Sequence, residues 1–150
     1  MHAIVNRIEK ILYEYTPALR EIPEEVFAAK PLPNKWSKKE ILGHLIDSAQ
    51  SNIRRFIVAQ YEDMPVIVYN QDKWVAASAY QLWKSTDIID LWYLLNKQVC
   101  AILETIPPGQ EQRMCQTQSQ HSIAWLAEDY VKHLLHHLHV VRDLEPVNYP

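Results

Sequence analysis

The sequence contains very little glycine, only Gly43 and Gly109 among 150 residues. Average usage of about 7% would give about ten. Loops that cradle phosphates, such as the Walker loop and the dinucleotide-binding fingerprint, need several glycines close together. The composition therefore excludes these nucleotide-binding motifs, and it disfavours a fold built from many tight β-hairpins.

Cysteine, basic charge and long apolar runs are also scarce. The two cysteines, Cys100 and Cys115, form no spaced metal motif, and we expect reduced thiols in a cytoplasmic protein. The net charge of −3 lacks the basic footprint of a nucleic-acid-binding protein. No apolar run is long enough to cross a membrane, and the first residues lack the core of a signal peptide. The length predicts a single domain over residues 1–150 that folds without disulfides.

Apolar residues recur at helical spacing in four segments. These segments are Ile4 to Leu19, Ser37 to about Gln60, Ser85 to Ile106, and Ser122 to a point before Pro146. The segment from Met64 to Tyr69 looks strand-like, but no other segment has a comparable strand pattern to pair with it, so we interpret it as an ordered crossing loop. A short helix near Asp72 to Tyr80 is expected to follow. The pattern predicts an all-α four-helix bundle with a long ordered connection between the second and third long helices.

The starts of two long helices carry recognisable signals. Ser37 and Glu40 have the spacing of a capping box, and Trp36 and Ile41 flank it as a hydrophobic staple does. The third long helix begins at Ser85–Thr86–Asp87, three residue types that cap helices well.

Histidine is the residue in excess, with 7 in the chain and four of them between His133 and His139. Two histidines one helical turn apart can hold one metal ion. On a helical wheel, His133 and His137 flank the apolar stripe of the fourth helix, whereas His136 and His139 lie on the solvent side. A pair of hydrogen-bonded boundary residues would show the same spacing, so both interpretations stay open.

A tight metal site needs a third ligand from another element. His2 lies at the start of the chain, and His121 is about three turns from His133, too far to share an ion. His44 shares a helix face with Ser48, Ser51 and Arg55, a pattern typical of a polar cavity wall and equally of an exposed surface. Asp47 and Asp129, each about one turn from a histidine, are candidate ligands or partners of a ring N–H.

Two segments about 90 residues apart resemble the DinB/YfiT-like superfamily. Residues 36–47, WSKKEILGHLID, resemble the start of its second helix, and residues 130–138, YVKHLLHHL, resemble its last helix. Residues 70–74, NQDKW, resemble a loop motif of one subgroup. The resemblance covers nearly the whole chain, and the order of the helices agrees.

The resemblance implies a four-helix bundle with one divalent metal ion held by His44, His133 and His137. It implies zinc or nickel, with iron or manganese as alternatives. Members act on small molecules, some of them with a low-molecular-weight thiol as cosubstrate, and many have no known activity. The resemblance therefore supports the metal better than it supports a particular reaction.

Three functions remain open at this stage. The first is a metal-dependent hydrolase or thiol-dependent transferase acting on a small electrophile. Its candidate general bases are Asp47, Asp72 and Asp129, and its candidate substrate-binding residues are Arg54, Arg55, Tyr69 and Trp74. The second is a non-catalytic metal-binding or stress-response module, and the third is a helical interaction protein without metal. The five Trp and eight Tyr also suggest a homodimer, since they exceed what one small core hides.

Overall fold

In the computed structural model, which describes residues 1–149, six α-helices and one two-stranded hairpin form the chain. The helices are α1 (His2–Arg20), α2 (Glu24–Ala28), α3 (Lys38–Val58), α4 (Gln71–Ser78), α5 (Ser85–Thr105) and α6 (Ile123–Val141), and the strands are β1 (Met114–Gln116) and β2 (Gln120–Ser122). The four long helices α1, α3, α5 and α6 confirm the predicted all-α bundle. None of the helices among these residues combines the length and apolar character that a membrane crossing requires.

The four long helices form a closed ring. Both α1 and α3 pack against α5 and α6, so α1 and α3 occupy opposite corners. Their apolar stripes meet in one core, where large side chains such as Trp92, Tyr130 and Phe56 are fully buried. The contact between α3 and α6 places the histidines of the second and fourth long helices on facing surfaces.

The start of α3 follows the sequence signal. Ser37 Oγ accepts a hydrogen bond from Glu40 N at 3.1 Å, and Ser37 N donates to Glu40 Oε2 at 2.8 Å. This reciprocal capping satisfies two backbone donors that the first helical turn leaves free. The capping box therefore fixes where α3 begins, a little under two turns before His44.

The helix α5 begins at Ser85, as predicted, but its capping differs from the prediction. Lys84 occupies the N-cap position, and the side chain of Ser85 does not cap the helix. Glu24 of α2 takes that role, because its carboxylate accepts hydrogen bonds from Ser85 N at 3.1 Å and from Ser85 Oγ. The same carboxylate forms an ion pair with the buried Lys39. A distant residue therefore replaces the local cap.

The connection between α3 and α5 runs through α4 and a short 3₁₀ turn. Ile67 N donates to Gln116 O and Gln116 N donates to Pro65 O, both at 2.9 Å, so the strand-like piece does find a partner in β1. The β1–β2 hairpin itself is absent from the sequence prediction. Its turn at Thr117–Ser119 contains no glycine, which is why the glycine count did not reveal it.

Candidate metal centre

Three histidines converge where α3 meets α6. His44 comes from α3, and His133 and His137 come from successive turns of α6. One ring nitrogen from each lies within 4.8 Å of the other two, and His44 Nε2 is 3.0 Å from His133 Nε2. We call these three residues the histidine cluster. The structure thus brings together the three histidines that the resemblance implied as ligands.

The histidine cluster is shielded from solvent by the packing of α3. His44 is 1% exposed and lies in a stretch of α3 that is buried from Leu42 to Ala49. The indole of Trp36, just before the capping box, covers its ring at a centroid distance of 5.2 Å. The face of His44 is therefore buried where α3 packs on α6 and is not an exposed surface, which the spacing of its polar neighbours had left open.

Burial keeps the three imidazoles neutral. It lowers the pKa of His44 to about 4, an effect that the nearby charge of Asp72 partly opposes. Burial likewise lowers the pKa of His133 to about 2 and that of His137 to about 3, and repulsion from the neighbouring histidines adds to both. Because a metal ion binds the neutral form of imidazole, the rings are in the ligand state at neutral pH.

The chemistry of this donor set fits a divalent metal ion. Three neutral imidazoles from two rigid helices match the three-histidine sets that hold catalytic zinc and leave a position for water or substrate. Within residues 1–149, His44 Nδ1 is buried without a hydrogen-bond partner. His133 Nδ1 lies 3.3 Å from Ser48 Oγ, a contact that orients its ring.

His136 and His139 are not on the solvent side, contrary to the wheel. The segment 144–149 folds back along α6, so that His136 Nδ1 bonds Val147 O at 2.9 Å and His139 Nδ1 bonds Glu145 O at 2.7 Å. Both side chains are half-buried beneath it. The helical-wheel prediction was wrong here because a wheel considers one helix alone and cannot show a segment that packs over it. His121 stacks on Trp125, with ring centroids 3.6 Å apart, and is not part of the histidine cluster.

The same segment brings a residue that the sequence did not reveal. The ring of Tyr149 lies 5.4 Å from that of His133, and its hydroxyl donates to Asp129 Oδ2 at 3.0 Å. Tyr149 therefore covers one side of the histidine cluster. No local signal in the sequence indicates this position, because it depends on a chain reversal after α6. Asp129, a candidate base, is held by this hydrogen bond.

The two other candidate bases have different surroundings. Tyr80 donates a hydrogen bond of 2.5 Å to Asp47 Oδ1. Burial raises the pKa of Asp47 to about 6, although this hydrogen bond opposes the change. Asp72 lies exposed in the first turn of α4, which is capped by Asn70. Its negative charge acts to raise the pKa of His44, against the larger lowering effect of burial.

One cavity adjoins the histidine cluster through His137, and a second lies beyond Tyr149, which packs against His133. The smaller one, of about 460 Å³, is lined by Trp36 and His137, among others. The larger one, of about 570 Å³, has a polar wall that includes Arg55 and Tyr69. Asp72 lines both cavities, which places it between them.

The four candidate substrate-binding residues separate in the structure. Arg55 and Tyr69 line the larger cavity, with the guanidinium carbon 6.0 Å from the tyrosine ring centroid. Trp74 packs edge-on against Tyr69 at 5.5 Å and is 39% exposed. Arg54 points to solvent on the surface of α3. Adjacent arginines thus have opposite environments.

Comparison with known proteins agrees with this architecture. A family model described as the DinB superfamily matches residues 7–141. Among solved structures, YfiT from Bacillus subtilis is similar with a TM-score of 0.83 and 18% sequence identity, over 95% of this chain and 83% of that chain. YfiT is described as a probable metal-dependent hydrolase with an unusual four-helix bundle topology. The curated protein sequences contain no significant match.

Proposed function

Because the chain belongs to the DinB superfamily, we propose that His44, His133 and His137 bind one divalent metal ion and that the protein is a metal-dependent hydrolase of small electrophilic molecules. The observation that carries this proposal is the convergence of three neutral imidazoles, one buried and two half-buried, with ring nitrogens within 4.8 Å of one another. The description of YfiT as a probable metal-dependent hydrolase supports it. Zinc or nickel suits such nitrogen ligands, with iron or manganese as alternatives.

A bound divalent ion supplies Lewis acidity and lowers the pKa of water to about 7. The residues of the chain supply the remaining functions. Trp36 and Tyr149 cover the rings and exclude bulk water, and Ser48 orients His133. We assign proton acceptance to Asp72, because its carboxylate lines both cavities and its charge reaches His44.

The proposal is tested by elemental analysis and a substrate screen. We expect the purified protein to contain about one metal ion per chain, and His133→Ala to lose both the metal and any turnover of ester or amide substrates. His139→Ala is the matched control, since it removes a histidine of the same helix that bonds Glu145 O instead of joining the histidine cluster. Full metal content in His133→Ala would contradict the proposal.

The same screen separates the alternative activities. Turnover only with a low-molecular-weight thiol would indicate a thiol-dependent transferase. Metal binding without any turnover would favour the non-catalytic metal-binding or stress-response module. Both alternatives use the histidine cluster, so they replace the hydrolytic reaction and leave the metal proposal intact.

A homodimer and a cytoplasmic location also remain proposals. Tyr13 on α1 and Leu94 on α5 are 84% and 62% exposed, and these two helices pack side by side. Large exposed apolar side chains of this kind support an interface with a second copy. Cys100 and Cys115 are both free thiols, as expected in a reducing compartment. The molecular mass in solution distinguishes the dimer from the monomer.

A further inference from the structure

We propose that Arg55 binds a carboxylate of the substrate in the larger cavity, so that the substrate is a small monocarboxylate. This inference rests on the proposed function, because it takes the larger cavity, whose wall includes Tyr149 next to His133, as the place where the substrate binds. It adds a substrate class and a specificity-determining residue. The argument comes from the hydrogen bonds of Arg55, the charges around it and its connection to His133.

The guanidinium of Arg55 is fixed from one side. Its Nε and Nη2 donate to Ile67 O at 3.2 and 3.1 Å, and its Nη1 donates to Asn52 Oδ1 at 3.3 Å. A guanidinium has five N–H donors in a planar fork, so these bonds leave two of them for a ligand. Because Arg55 also lines the cavity, a ligand there meets donors that are already held in place.

Arg55 carries a positive charge that the protein does not neutralise by direct contact. Among the ion pairs formed by residues 1–149, none includes Arg55. Burial lowers the pKa of its guanidinium, although the group stays charged at neutral pH. A partly buried cation without a contacting carboxylate is costly, and an anionic ligand offsets that cost. The exposed Arg54 has no such requirement.

The other charges of the cavity favour a carboxylate over a phosphate. Asp72 and Asp129 also line the cavity, and its remaining polar groups include the neutral side chains of Asn70 and Thr117. Because two acidic residues stand beside one cation, a phosphate dianion is repelled more strongly than a carboxylate with a single charge. A carboxylate also accepts two parallel hydrogen bonds from a guanidinium fork.

A chain of hydrogen bonds connects Arg55 to the histidine cluster. Asn52, which accepts from Arg55, donates from Nδ2 to Ser48 O at 2.9 Å, and Ser48 Oγ lies 3.3 Å from His133 Nδ1. These residues follow one face of α3, at i, i+4 and i+7 from Ser48. These bonds couple the guanidinium to the ring of His133, and Tyr149, which packs 5.4 Å from that ring, lines the same cavity as Arg55.

The test compares two probes of the same shape in the full chain, first without metal and then with zinc. We expect 4-phenylbutanoate to bind at least ten times more tightly than the neutral 4-phenylbutanamide, as measured by NMR shifts of residues lining the cavity. Arg55→Gln should abolish this preference. Arg54→Gln, which removes the neighbouring exposed charge, should retain it. Inorganic phosphate should bind more weakly than 4-phenylbutanoate.

Three results would overturn the inference. They are equal binding of the two probes by the wild-type protein, a preference that survives in Arg55→Gln, and tighter binding of phosphate than of the carboxylate. If Arg55→Gln does not fold, Arg55→Lys retains the charge without the fork, and we expect it to weaken carboxylate binding several-fold. The metal content after addition of zinc reports separately on the proposed function: a protein that takes up no zinc but still prefers the carboxylate contradicts the metal centre and leaves this binding site standing.

Discussion

Gly43 is one of only two glycines in the chain, and its missing side chain makes room for an aromatic ring. A Cβ at this position would lie 2.2 Å from Tyr80 Cδ2, far inside van der Waals contact. The close approach allows Tyr80 to reach Asp47 with its hydroxyl. A residue that is unfavourable inside a helix is therefore required at this point of α3, next to His44.

We expect Gly43→Ala to lower the free energy of unfolding by about 1–2 kcal/mol, because the steric cost of displacing Tyr80 exceeds the gain of about 1 kcal/mol in helix propensity. Denaturant unfolding checks this value. Gln50→Ala, at an exposed position of the same helix, is the control and should have almost no effect. A more stable Gly43→Ala variant would contradict the packing argument.

The histidines show how far the sequence predicts a site at this scale. The wheel selects His133 and His137, because their position beside an apolar stripe is a local property of one helix. His44 could not be selected in this way, since its polar neighbours fit a cavity wall and an exposed surface equally well. Only the packing of α6 on α3 decides between them, and the family resemblance supplied that information indirectly.

Glu24 joins three elements through one carboxylate. It pairs with Lys39 of α3, whose side chain is 2% exposed, and it accepts from Ser85 at the start of α5. The hydrogen bond from Lys39 is the largest cause that lowers the pKa of Glu24 to about 2, and those from Ser85 add to it. The folded state therefore favours the ionised carboxylate.

We expect Glu24→Gln to lower the free energy of unfolding by about 1–2 kcal/mol at pH 7, a modest value because solvent screens a carboxylate that is 55% exposed. The pKa of Glu24 is lower in the folded state than the unfolded value of about 4.3. Its contribution is therefore complete above about pH 4.3 and is lost as the pH falls towards 2.

Unfolding curves of the wild type and Glu24→Gln between pH 7 and pH 3 measure this dependence. The difference between them should shrink below about pH 4. Glu25→Gln, a neighbouring exposed position in the first turn of α2, should stay close to the wild type throughout. A difference that grows towards low pH would contradict the assigned role.

Elements defined by local signals were predictable, and those that depend on distant partners were not. The capping box of Ser37 and Glu40 acts within one helical turn, so the sequence places the start of α3 correctly. The start of α5 depends on Glu24, which is 61 residues from Ser85. The hairpin likewise depends on the pairing of three-residue strands, which are too short to show an alternating pattern.

For the whole molecule, the metal proposal predicts a large effect on stability. A ligand that binds only the folded state, present at 100 times its Kd, raises the free energy of unfolding by about 2.7 kcal/mol. For a domain of this size, we expect a chelator to lower the Tm of the zinc-loaded protein by about 5–10 °C. Calorimetry with and without chelator measures the change. His133→Ala should show no shift in Tm. An equal shift in that variant would mean that zinc stabilises the protein by binding at another site.

The chain separation of the three histidines determines when the cluster can form. His44 and His133 are 89 residues apart, whereas His133 and His137 occupy successive turns of one helix. Two ring nitrogens therefore come together once α6 forms, but the third arrives only after docking of α3 closes a long loop. Contacts that are completed late in folding are absent from the transition state, so a bound ion should chiefly slow unfolding and leave the folding rate almost unchanged.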